Sequence, residues 1–79
     1  MHIAITLDDC IKGDMLRLVA FGQTDFVYKH QLCTFGLVLG TEVRVVHIAP
    51  FGCPVQIDVR GCALVLRKTE ARELQWERV

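Results

Sequence analysis

Apolar and polar positions alternate with a period of two in several stretches of this chain, and one stretch follows helical spacing. Val55, Ile57 and Val59 alternate with Gln56, Asp58 and Arg60, as in a strand with one face turned inward. From Thr41, Val43 and Val45 alternate with Glu42 and Arg44. Val46 and Ile48 then fall out of phase, which predicts a bulge or sharp bend near Val46. Leu74 and Trp76 alternate with Gln75 and Glu77 in a last short strand. Met15 to Phe21 reads as a first strand closed by Gly22. Cys62 to Leu66 is nearly all apolar, which predicts a strand buried on both faces. Tyr28, Leu32 and Phe35 fall on one helical face behind the capping residues Thr24 and Asp25. The spacing predicts a helix over about 25–35, stopped by Gly36.

The punctuation between these runs is equally regular. Leu32 through Val45 reads as a helix end, a glycine stop, a tight turn and a strand start. Gly36 and Gly40 supply the two backbone positions that need left-handed freedom. Pro50-Phe51-Gly52-Cys53-Pro54 is a loop, Arg60-Gly61 a turn, and residues 7–14 a loop or single turn. Thr69 is the expected cap of one turn over 70–73. Five short strands, a strong bend and one helix in 79 residues imply a mostly β chain. The expected form is a small, strongly curved β-barrel in a single domain, 1–79.

Composition adds a surplus of apolar residues. The hydrophobic fraction is 52% with a mean hydropathy of +0.35, high for so short a chain, which excludes disorder and leaves apolar surface for a partner. No apolar run approaches the ~20 residues that span a bilayer. The N-terminus lacks the basic start and cleavage site of a signal peptide, so the expected location is cytoplasmic. Nine Lys and Arg balance nine Asp and Glu, and the signs are interspersed. That argues against a nucleic-acid partner, which a basic stripe would mark.

The candidate chemistry is sparse. Cys10, Cys33, Cys53 and Cys62 show no C-x-x-C spacing, and a reducing location predicts free thiols. His2, His30 and His47 complete the possible ligands, and His30 shares a helix face with Cys33. Packing of Cys33 against the barrel, with His30 solvated, is the expectation. Cys62 reads as core and Cys53 as the exposed thiol, while Asp8-Asp9-Cys10 reads as a solvated cap. We therefore expect no metal site and no cofactor. The chain contains no serine and no nucleophile beside an orienting base, so no catalytic residue is assigned and no enzyme is expected. Leu39 and Phe51, apolar residues in turns, are the candidate partner-binding residues, with the outer face of the helix around Lys29 and His30 as the alternative surface.

One ordered set of residues resembles the ferrous iron transport protein A (FeoA) family. It comprises Leu32 with Gly36-Leu37 and Gly40, Val43-x-Val45, Ala49-Pro50-x-Gly52-x-Pro54-Val55, Ile57, and Leu64-x-Leu66-Arg67-Lys68 with Glu70-Ala71. The resemblance covers roughly residues 7–79. Leu39 stands where the family usually has proline, and Cys53 where it often has aspartate. The resemblance implies an SH3-like barrel of about five strands with one short helix inserted after the first. It also implies a small cytoplasmic accessory of the ferrous-iron permease (FeoB), reaching the membrane only through that permease and possibly forming a homo-oligomer. The same barrel forms the C-terminal domain of iron-dependent repressors, so a metal-sensing regulatory module is the alternative. A chain opening at Met1 with no winged helix before the barrel favours the free-standing accessory.

Overall fold

Strand β1 (Met15–Ala20) lies inside a five-stranded antiparallel sheet with β2 (Glu42–Ile48) on one side and β5 (Gln75–Arg78) on the other. β3 (Val55–Val59) and β4 (Cys62–Leu66) complete the order β4-β3-β2-β1-β5. The computed structural model describes residues 4–79. A 3₁₀ turn (Leu7–Asp9) precedes β1, helix α1 (Phe26–Thr34) follows it, and a short helix α2 (Lys68–Ala71) joins β4 to β5. This is the mostly β architecture that the alternation predicts, in the SH3-like arrangement that the family resemblance implies.

The period-two runs place one residue in two inside. In β3 the three apolar residues are buried between half-buried Gln56 and Asp58. In β2 Val43 and Val45 are buried, and the pairing with β3 slips between Val45 and His47, so the bulge falls at Val46. Trp76, Leu16, Leu18, Ile57 and Leu66 fill the centre with no exposed surface. Each such side chain contributes roughly 1.5–3 kcal/mol by leaving water.

The sheet curls without closing. β4 and β5 do not pair. The outward backbone groups of Trp76 instead exchange bonds with Ile5, at 2.7 and 2.8 Å. Two further expectations need correction. β4 is not buried on both faces: as the last strand of the sheet it buries Leu66 and half-buries Leu64, while Cys62, Ala63 and Val65 are exposed. Its apolar run reflects an edge, not a centre. The turn after β4 begins two residues earlier than its composition implies, at Lys68, with Arg67 rather than Thr69 at the N-cap.

Candidate functional site

Helix α1 starts where the capping chemistry places it. The Asp25 carboxylate accepts the N–H groups of Val27 and Tyr28, at 3.1 and 3.2 Å. It ends at Gly36, whose φ of +91° is left-handed backbone, and the N–H of Leu37 reaches back to the Leu32 carbonyl. The turn that follows is held tightly. The Thr41 hydroxyl donates to the Gly36 carbonyl and accepts the Val38 N–H, while the Thr41 N–H closes onto the Val38 carbonyl. Gly40 N–H and Thr41 C=O then bond to Leu18 in β1. Leu37 is driven fully inside, and Leu39, in the middle of the turn, points outward at 57% exposure.

Leu39 is not isolated. Phe35 and Val38 beside it are exposed, and so are Phe26 and Val27 at the other end of α1. Only Leu32 of the helix is buried, with Tyr28 half-buried against the core. Phe35 thus corrects the sequence-based face: it lies at the C-cap, past the last turn, and turns outward. Phe26, Val27 and Val38 carry no such mark in the sequence, because helical spacing identifies only the inward stripe. The clue was that apolar residues continue on both sides of it. His30 is exposed on the same helix, and the Lys29 ammonium sits 4.9 Å from the centre of the Phe21 ring, a cation–π contact.

Phe51 lies on a separate surface. Its loop closes through Ala49 N–H to Pro54 C=O and Gly52 N–H to Ala49 C=O, which leaves the ring 98% exposed at the tip. Leu39 and Phe51 flank opposite ends of β2, with roughly 20 Å of strand between them, so one small partner element does not touch both.

The thiols are redistributed relative to expectation. Cys62 is the exposed one and is not core, since its strand is an edge. Cys53 is half-buried, its sulfur accepting the Lys68 N–H, so it is not the exposed thiol of the set. Cys10 is buried and donates to the Leu7 carbonyl, and burial, reinforced by the Asp14 carboxylate, pushes its thiol up. Cys33 is half-buried. Asp8 forms an ion pair with Lys68 at 3.0 Å. Among the described residues no three Cys, His, Asp or Glu side chains converge for a metal. His2 lies outside the described residues.

A cleft of about 360 Å³ separates the start of α1 from α2, lined by Thr24, Asp25, Tyr28, Glu70, Arg72 and Glu73. Burial and then the Glu70 carboxylate push the Tyr28 phenol up. The cleft is lined by acidic groups and one arginine and brings no nucleophile to a base. Among the described residues no helix is long and apolar enough to cross a membrane.

The model of the FeoA domain matches residues 5–78. The chain belongs to the FeoA domain family. Solved structures of FeoA proteins have the same fold. One from Chlorobium tepidum is 24% identical with a TM-score of 0.85, the match covering 95% of this chain and 70% of that one. A FeoA-like protein from Clostridium acetobutylicum is 26% identical with a TM-score of 0.82, covering 100% and 91%. A manganese-dependent transcriptional repressor is 16% identical with a TM-score of 0.85, the match covering 100% of this chain and 44% of that one. This FeoA domain therefore shares its fold with a repressor as well as with FeoA proteins.

Proposed function

We propose that this chain is a cytoplasmic accessory of ferrous-iron uptake that binds the cytoplasmic region of the ferrous-iron permease (FeoB) and modulates transport. Membership of the FeoA family supports the role in iron transport. The observation that carries the binding role is the apolar surface on α1 and the turn after it, where Phe26, Val27, Phe35 and Leu39 are all exposed. Exposed apolar side chains at both ends of one helix and in the turn after it are surface that a partner would cover. Leu39 is the central contact because its turn is already rigid. Phe51 is a second contact at the far end of β2, and Lys29 and His30 supply the polar rim.

The test is a pull-down and titration with the permease's cytoplasmic region. Leu39→Asp should weaken binding at least tenfold, about 1.4 kcal/mol, and Phe51→Asp less, while circular dichroism and melting stay near parent. Unchanged binding by both folded variants, and by Phe26→Asp, removes the surface from consideration.

A further inference from the structure

The two edges of the sheet are finished differently. At β5, Ile5 occupies the outward groups of Trp76, and Glu77 and Arg78 place charge along the strand. Charged side chains and a covering segment are how natural sheets discourage pairing with other chains. β4 has neither. Its residues are Cys62, Ala63, Leu64, Val65 and Leu66, without a charge, a proline or a bulge, and its pairing with β3 is unbroken.

The hairpin fixes which groups are free. Arg60 and Gly61, with φ of 54° and 88°, form a two-residue primed turn, which makes Val59↔Cys62 a hydrogen-bonded pair. Alternation then assigns the bonded pairs to Cys62, Leu64 and Leu66. The N–H and C=O of Ala63 and Val65 point away from β3, at an edge with no further strand. The side chains there are small or apolar, and Val65 is 52% exposed.

We propose that β4 pairs antiparallel with β4 of a second copy, about a two-fold axis passing at Leu64. This register sets Ala63 against Val65 of the other copy, and Val65 against Ala63. All four outward groups on each strand are then bonded. Leu64 faces its own counterpart in the close, non-bonded pair, and Cys62 faces Leu66. No charged residue within the paired segment meets a like charge, which makes the strand complementary to itself. A single strand of five residues buries less than the ~1,200–2,000 Å² of a stable interface, so the dimer is weak and concentration-dependent.

Sedimentation velocity over rising concentration tests this. The parent chain should shift reversibly from monomer to dimer. Val65→Pro removes an outward N–H while sparing the ladder with β3, a position where edge strands tolerate proline. Ala63→Lys adds an edge charge. Both should fold as the parent does and dimerise at least tenfold more weakly. Leu64→Cys, in a Cys62→Ser background, should form an interchain disulfide through residue 64 under mild oxidation, because the facing Cα atoms come within the range a disulfide spans. A parent that stays monomeric throughout overturns the proposal, even if the edge captures an extended peptide. Undiminished dimers in both variants, or no residue-64 cross-link, overturn it too.

Discussion

At the scale of single residues, two glycines that look alike in the sequence carry different constraints. Gly36 has φ +91° and open space where a Cβ would stand, so only backbone strain opposes a side chain there. Gly22 has φ +59°, and a Cβ would lie 2.5 Å from the Glu73 carbonyl oxygen, closer than real contacts allow. Gly36→Ala should therefore cost on the order of 1–3 kcal/mol. Gly22→Ala should cost more, because β1's end or the chain after α2 must also move. Paired urea melts measure the difference, and an equal or smaller loss for Gly22→Ala contradicts the close approach. The helix stop at Gly36 was legible from its place after an apolar stripe. The tightness at Gly22 was not, because its neighbour lies fifty residues away in the chain.

Among the elements, Arg17 shows how side chains report the register of the sheet. It stands opposite Glu42 on β2 and Glu77 on β5, and its guanidinium bonds to both carboxylates, at 3.2 and 2.7 Å. A slip of either strand by one residue would turn the partner to the other face. Arg17→Glu aligns three carboxylates across three strands, and should lower the melting temperature clearly in dilute buffer and less in high salt, where such repulsion is screened. Equal losses at both salt levels would mean the loss is one of packing. The elements themselves were readable wherever one face is buried: β2 with its bulge, β3, β5 and α1 lie within a residue or so of their predicted positions. β4 was misread because an all-apolar run looks the same at an unfinished edge as in a buried centre. Leu39 and Phe51 were readable as apolar residues in turns, but the wider surface on α1 needed the helix's orientation, which no local pattern encodes.

For the whole molecule, one buried and one half-buried acid make stability depend on alkaline pH. The Cys10 thiol and the Tyr28 phenol are both raised by burial, so the folded chain holds these protons more tightly than the unfolded one. Below the unfolded thiol's range, about pH 8.5, both states are protonated and nothing is lost. Above it the unfolded chain ionises first, and stability falls with rising pH until the folded groups ionise as well. Melting temperatures should decline from about pH 8 to 10, and Cys10→Ala should flatten the first part of that decline. A pH-independent profile for the parent would show that Cys10 titrates normally in the fold. Alkylation should follow the same geography, with Cys62 reacting in the native state and Cys10 only as the chain opens.

The position of β1 between β2 and β5 also sets the order in which the molecule can assemble. β3 and β4 meet across two residues and can zip within microseconds, whereas β1 must wait for a partner that ends at Arg78. During synthesis the chain therefore carries β1 with one side unpaired until β5 emerges, and Trp76, the largest fully buried side chain, arrives with that strand. Pairings so distant in sequence slow the search for the native state. Loss of β5 would turn an interior strand into an open one, so a chain cut before Gln75 should be aggregation-prone rather than merely less stable.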